Sequence, residues 1–194
     1  MRAGRAPPIS AVRLTAAPPR KPIPNANTNL MNAWRCLIAT PDGQFTAWFT
    51  RRGLARLHFP GTEPAKLPAH PDGTPPLAIG PWQGLTMRAV NEALAGRRPK
   101  KLPPLDWSEA TGFQRDVWEE LESIRPGRTR TYGEIAAALG KPKAARAVGA
   151  ACGANPVPLL VPCHRVLAAG GKLGGFSGGL PWKELLLKRE GVVL

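Results

Sequence analysis

The chain lacks the groups that would commit it to secretion, a disulfide framework or a membrane. Of its 194 residues only three are cysteine, Cys36, Cys152 and Cys163, and their spacing suits neither a metal site nor a disulfide set. An odd cysteine count without a secretion signal points to a reducing, cytoplasmic compartment. No apolar run approaches the length of a membrane-spanning helix. Acid is scarce as well: 13 Asp and Glu stand against 27 Lys and Arg, a formal net charge of +14. Such an excess suits a polyanionic partner, nucleic acid or an anionic membrane surface, where a bland reading would be solubility or a basic tail. The tail accounts for part of it. Residues 1–32 hold no acid and carry Arg2, Arg5, Arg13, Arg20 and Lys21, and removing those five cations from +14 still leaves +9.

What is present divides the chain into three. Residues 1–32 are rich in Pro, Ala and Arg, lack periodicity and read as a disordered basic tail. Arg without acid also fits an organellar transit peptide, but the prolines would spoil the helix it needs; Met31 as the true start is the other alternative. Residues 33–104 read as a small α/β domain. Cys36–Ala39, Phe45–Thr50 and Leu54–Phe59 are three apolar runs, with a tight turn at Pro41-Asp42-Gly43 and Gly53 as punctuation, so an antiparallel meander is expected. Residues 60–81 read as loop. Trp82 to Leu94 has helical spacing, with Leu85, Ala89, Val90 and Leu94 on one face. Residues 97–104 are basic and proline-rich and read as a linker.

Residues 105–194 read as a mainly helical second domain. Thr111-x-x-Gln114 and Thr131-x-x-Glu134 are capping boxes, each opening a helix. The first helix carries a stripe of Phe113, Val117, Leu121 and Ile124 and ends at Pro126-Gly127. The second runs to Leu139 and stops at Gly140. Pro142 suits the first turn of a third helix, Lys143 to Cys152. Two short helices joined this closely predict a helix-turn-helix, or in the blander reading a plain helical hairpin. Lys143 and Arg146 lie there among Ala144, Ala145, Ala147, Gly149 and Ala150, residues small enough to let a helix approach a duplex groove. A last helix is expected from Trp182 to Glu190, after the glycine-rich stretch 170–179.

The most constrained stretch is Asn155 to Val166. Pro156, Pro158 and Pro162 forbid helix there, and Val157, Leu159, Leu160 and Val161 are apolar enough to bury it. It predicts a stiff, buried strap delivering Cys163 and His164 to a fixed place. A thiol beside an imidazole is the minimal nucleophile pair, although most buried cysteines are only packing groups. Neighbours in an extended chain point to opposite faces. Direct contact would need a turn starting at Cys163; otherwise the proton travels through a water, which is the expected route. An imidazole nearby is also expected to hold the thiol below its free value of roughly 8.5.

Pro162-Cys163-His164-Arg165-Val166 resembles the active-site signature of the O6-alkylguanine-DNA alkyltransferases, the methylated-DNA–protein-cysteine methyltransferases. The likeness extends to Tyr132-Gly133-Glu134-Ile135-Ala136, to Lys141 through Gly149, to Gly153-Ala154-Asn155-Pro156, to Ser177-Gly178-Gly179, and to Lys183-Glu184 and Arg189-Glu190-Gly191. It is strong from Phe113 to Gly191 and weaker from Trp34.

The resemblance implies an RNase H-like α/β first domain and a winged-helix-like second one. It implies irreversible, single-turnover transfer of an alkyl group, typically methyl, from O6-alkylguanine in duplex DNA to Cys163. The nucleotide is flipped from the stack, and the protein acts as a monomer without a cofactor, associated with the nucleoid if the source is bacterial. Acceptance of O4-alkylthymine is open at this point. His164 would be the base, acting through water, with Glu190 holding the imidazole. Asn155 would link recognition helix to active site, and Tyr132 would donate to guanine N3 and help turn the flipped nucleotide's phosphate. Arg146 would fill the vacated stack, while Gln114, Lys141 and Tyr132 would meet DNA. Pro158, Val166, Phe176 and Ser177 would line the pocket.

Some relatives carry a structural zinc in the first domain. Only Cys36, His58 and His70 could serve here, and no metal is expected. Phe176 stands where many relatives have Tyr, and Cys152 where an apolar residue is common. Three rivals remain: a non-catalytic lesion-binding relative, which would lack Cys163; a cysteine hydrolase, which leaves the helix-turn-helix and the charge unexplained; and a transcription factor, for which no further module is visible.

Overall fold

Alternating apolar residues and one tight turn make the first sheet. In the computed structural model, which describes residues 33–63 and 75–194, β1 (Trp34–Thr40) pairs antiparallel with β2 (Gly43–Phe49), and β2 with β3 (Leu54–His58). The readings for residues 1–32, and His70, lie outside the described residues. Pro41-Asp42 closes the β1–β2 turn, where Thr40 Oγ1 donates to Gly43 O at 2.7 Å and Gly43 takes a φ of +118°. Phe45, Ala47 and Phe49 alternate along β2 and are fully buried, each large side chain contributing roughly 1.5–3 kcal/mol by burial. The sheet's edge is extended by the linker. Leu54 bridges Leu105 in parallel, Leu54 N donates to Pro104 O at 2.8 Å and Asp106 N to Leu54 O at 2.9 Å. Residues expected to be a free connection are therefore tied to β3 at their end.

Helix α1 (Ile79–Leu94) begins three residues before the expected Trp82 and packs on β1 and β2 through Ala89, Val90, Ala93 and Leu94. Both capping boxes form. Thr111 opens α2 (Gly112–Ser123), and Thr131 opens α3 (Tyr132–Ala138). Trp118 Nε1 donates to Ala151 O at 2.9 Å, fixing α2 to α4 (Ala145–Gly153). Helix α4 starts two residues later than the sequence suggests. Gly140 leaves α3 with a φ of +68°, and Ala144 N closes a turn on Lys141 O, so Pro142 lies in the connection and not in the first helical turn. Helices α3 and α4 pack together as two short helices joined by a tight turn, and α4 packs on α2. A parallel pairing of β4 (Arg130–Thr131) with β5 (Val166–Leu167) links the start of α3 to the segment after Cys163.

Helix α5 (Leu180–Arg189) joins the two halves. Trp182 meets Phe45 and Phe59 with ring centroids 5.7 and 4.9 Å apart, and Phe59 meets Phe176 edge-on at 5.5 Å. The core is continuous from the sheet to the strap. Among the described residues no helix is long and apolar enough to cross a membrane.

Candidate active site

The prolines do build a buried strap, but it is folded rather than straight. Leu159 sits at a φ of +77°, strained for a branched residue without glycine's freedom. Val161 N donates back to Val157 O at 3.0 Å. One side chain holds this turn: Asn155 Oδ1 accepts from Val157 N at 3.0 Å while its Nδ2 donates to Val161 O at 2.8 Å and to Cys163 Sγ at 3.2 Å. Asn155 is itself buried and follows α4 directly. The end of α4, the strap and the thiol thus meet at Asn155.

A 3-10 turn, Cys163–Arg165, starts at the cysteine. The chain is not extended there, contrary to the sequence expectation. Even so, the partner that reaches Sγ is Asn155 and not an imidazole nitrogen. The thiol also departs from expectation in its acidity. Burial pushes Cys163 up to about 11, with the Asn155 hydrogen bond and the Lys183 charge opposing only in part. Low dielectric penalises the thiolate, so at neutral pH the sulfur keeps its proton until a base removes it.

An imidazole follows Cys163 in the chain. His164 Nε2 lies 3.0 Å from Glu190 Oε1, and both side chains are buried. Burial acts to raise the Glu190 carboxyl, but hydrogen bonds and charge from His164 and Arg165 outweigh it and hold the group below the usual carboxylate value. An ionised Glu190 accepts the Nε2 proton, which leaves Nδ1 as the basic nitrogen. His164 Nδ1 is buried and has no hydrogen-bond partner among the described residues. Burial lowers the imidazole, Glu190 opposes this, and Arg165 and Lys183 add to the lowering, so the ring rests neutral.

Two cations at the site were not singled out from the sequence. Arg165 is buried and grips Glu190 through Nε at 3.1 Å from both carboxylate oxygens and Nη2 at 2.8 Å from Oε1; its Nη1 donates to Ile124 O at 2.5 Å. Lys183 is fully buried and its Nζ donates to the carbonyls of Val166, Leu173 and Gly175. It pins the glycine-rich loop beside the thiol. Lys183 shares the buried face of α5 with Leu186 and Leu187, and a lysine on an apolar helical stripe was the signal available.

The other candidates fall into two groups. Tyr132, half-buried, has its hydroxyl on the Gly174–Gly175 backbone, and its ring passes close to Gly149 of α4; burial raises it, with Cys152 and Cys163 adding. Pro158 and Val166 are buried in the strap, Phe176 lies edge-on to His164 at 6.2 Å, and Ser177 is exposed on the same loop. Of these, Tyr132 feels the charge at Cys163 and Phe176 faces the His164 ring. Arg146 is exposed on the first turn of α4. Gln114 closes the α2 capping box with Oε1 on Thr111 N at 2.9 Å. Lys141 stands over the Phe113 ring at 5.0 Å and 3.8 Å from Asp116. These three are on the helical surface, away from the thiol's hydrogen bonds. Among the described residues no group of three or more His, Cys, Asp or Glu is placed to hold a metal.

Two short helices joined by a tight turn, a thiol held by an amide and an imidazole held by a carboxylate thus come together in residues 112–190. Residues 112–192 match the family model described as 6-O-methylguanine DNA methyltransferase, DNA binding domain. The chain is 58% identical over 83 residues to the methylated-DNA–protein-cysteine methyltransferase of Methanosarcina acetivorans, covering 43% of this chain and 53% of that one. It is 55% identical over 84 residues to that of Salmonella typhimurium, covering 43% and 49%. The matched segment spans about half the length of these curated relatives. A crystal structure of Mycobacterium tuberculosis OGT in complex with DNA superposes with a TM-score of 0.64 at 37% identity, covering 79% of this chain and 90% of that one. The Pyrococcus kodakaraensis O6-methylguanine-DNA methyltransferase, 24% identical with a TM-score of 0.57, bears on the fold alone. The chain belongs to the O6-methylguanine-DNA methyltransferase family.

Proposed function

We propose that this protein repairs duplex DNA by moving the alkyl group of O6-alkylguanine onto Cys163, once per molecule. The observation that carries the reading is the buried pair at the strap: a neutral thiol held by Asn155, and after it in the chain an imidazole whose Nε2 is committed to Glu190 while Nδ1 has no hydrogen-bond partner among the described residues. A thiol held near 11 is a poor nucleophile at neutral pH. Its proton passes through a bridging water to His164 Nδ1, and Glu190, held in place by Arg165, stabilises the imidazolium. Sulfur attacks the alkyl carbon, the carbon–O6 bond breaks, and its electron pair stays with the purine. The purine takes a proton at N3 from Tyr132, which regains one from the imidazolium, so the net change is thiol plus alkylguanine to thioether plus guanine. A thioether is not hydrolysed, and single turnover follows.

Recognition falls to α3 and α4, read as a winged-helix-like unit within residues 105–194. The small residues of α4 allow close approach, Arg146 fills the space of the flipped base, and Gln114 and Lys141 meet the DNA backbone. Pro158, Val166, Phe176 and Ser177 line the pocket. Residues 33–104 form the α/β domain that supports them. The excess of positive charge supports DNA as partner, as does the DNA complex of the mycobacterial relative.

Incubation with a duplex bearing one O6-methylguanine tests this. The intact mass should rise by one methyl, mapped to Cys163. Cys163→Ala should bind the lesion and never gain the methyl. Methyl on Cys152 or Cys36, or many lesions repaired per molecule, would sink the reading.

A further inference from the structure

The last turn of α5 carries two adjacent charges that face different parts of the molecule. Glu190 turns into the site. Arg189 turns to the sheet: its Nη1 and Nη2 each donate to one oxygen of Asp42, both at 2.7 Å, and Nη1 donates also to Leu94 O at 3.1 Å. Asp42 belongs to the β1–β2 turn and Leu94 ends α1, so one guanidinium ties two elements of the sheet half to the helix that bears Glu190. The backbone is gripped as well. A Cβ on Gly96 would stand 2.2 Å from Arg189 O, and one on Gly127 would stand 3.0 Å from Glu190 O. Gly127 N reaches Glu190 Oε2 at 3.4 Å.

An isolated surface ion pair contributes little. This one differs in its two parallel hydrogen bonds, a fork that fixes orientation as well as distance. It differs also in place, one residue from the carboxylate that orients His164. Turning or sliding the last helical turn moves both residues together, since neighbours share one rigid backbone. From these contacts we infer that Asp42 and Arg189 are positioning residues: the sheet half holds α5 through them so that Glu190 is seated on His164 and Arg165. The inference deepens the repair reading and rests on it only for the substrate, not for the behaviour of the thiol.

The test uses the full chain and follows Cys163 alkylation by iodoacetamide across pH, read by peptide mass spectrometry, alongside transfer from free O6-benzylguanine. Asp42→Asn and Arg189→Gln should each slow Cys163 by about tenfold, the scale of a small misplacement. The limb of the pH profile set by His164 should move to lower pH, because an imidazolium with a looser carboxylate is less stabilised. The exchanged pair Asp42→Arg with Arg189→Asp should recover most of the rate. Arg35→Gln, which breaks the Arg35–Glu63 pair of 3.1 Å elsewhere in the sheet half, should lower the melting temperature without moving the profile. Profiles for Asp42→Asn and Arg189→Gln that superimpose on the parent, or an equal displacement in Arg35→Gln, would overturn the inference. If the parent protein gains no methyl from a duplex bearing O6-methylguanine while its iodoacetamide profile responds as described, the repair reading fails and the clamp stands.

Discussion

The two halves of this molecule bury their polar groups in different ways. In the sheet half, Thr50 Oγ1 donates to Asp106 Oδ2 at 2.5 Å and locks the linker's end to the β2–β3 connection. The pair joins residues 56 apart in the chain and is structural. In the helical half, Asn155, His164, Arg165 and Lys183 are all buried, and each meets the strap, its neighbouring loop or Glu190. Burying so many charged and polar groups is costly unless each is satisfied. Apart from that pair and the Asp42–Arg189 fork, the sheet half rests mainly on shape and area; the helical half needs each polar partner. Side chains of the first kind tolerate exchange for others of like volume, whereas those of the second lose function and stability together.

The largest break of that contrast is in the relay. His164→Ala should slow transfer from free O6-benzylguanine and from duplex alike, by about 10²–10⁴-fold, the usual contribution of a general base. Glu190→Gln should cost less in rate, because Glu190 acts through His164. It should cost more in stability, about 3–5 kcal/mol, since Arg165 is left buried without its counter-charge. Arg146→Ala should weaken the duplex reaction alone. The pair of rates, on free base and on duplex, decides the matter: equal proportional losses in His164→Ala and Arg146→Ala would show that chemistry and recognition are not divided as argued.

The matching break in the sheet half is Phe59→Ala. Phe59 packs against Phe45, Trp182 and Phe176, and its loss should destabilise the fold by about 3–5 kcal/mol. Because Phe176 then loses a neighbour, the rate on free base should fall several-fold while the pH profile keeps its shape. Denaturant unfolding and the profile together check this. A displaced profile would mean that the sheet core also tunes the relay.

How far the sequence foretold each half follows the same line. Thr111 with Gln114 and Thr131 with Glu134 announced their helices because a capping box is written within four residues. The strap announced Cys163 because three prolines leave few backbone choices. The start of α4 was misread, since Pro142 is equally at home in a turn closed by Lys141 O. Arg165 stood in the motif without an obvious partner, for Ile124 and Glu190 are far along the chain. Asp42 and Arg189 lie 147 residues apart, a pairing that no local pattern encodes. The acidity of Cys163 was mistaken for a different reason. A neighbouring imidazole suggests a lowered thiol, yet the first effect at this site is burial.

Acid and base should break the halves apart through stability. His164 and Glu190 are both held below their ordinary values in the folded chain. Groups so depressed contribute stability that is present above their unfolded values, about 6.5 and 4.3, and lost as pH falls through the folded ones. Cys163, raised to about 11, and Cys152, raised to about 12, act in the opposite sense. Their contribution is full below the unfolded thiol value of about 8.5 and is lost as pH rises through the folded ones. Chemical denaturation across pH should therefore give a plateau between about 6.5 and 8.5, falling on both sides. His164→Ala should flatten the first part of the acid limb only, and a limb unchanged in that variant would remove His164 from the account.

The smallest expected effect concerns the basic segment ahead of both halves, for which charge alone supplies the argument. Truncation to Met31 removes Arg2, Arg5, Arg13, Arg20 and Lys21 and no acid. No candidate site residue is lost, so transfer from free O6-benzylguanine should be unchanged. DNA binding is another matter, because each cation paired with a phosphate releases a counterion and steepens the salt dependence by about 0.9 in the logarithmic slope. Five cations set the ceiling on that change, and partial engagement makes it smaller. Binding of undamaged duplex should weaken modestly at low salt and converge with the full chain as salt rises. Titration of both forms over a salt series measures the difference in slope. A truncated protein that fails to fold, or that loses transfer to the free base, would show that residues 1–30 belong to the architecture and do more than supply charge.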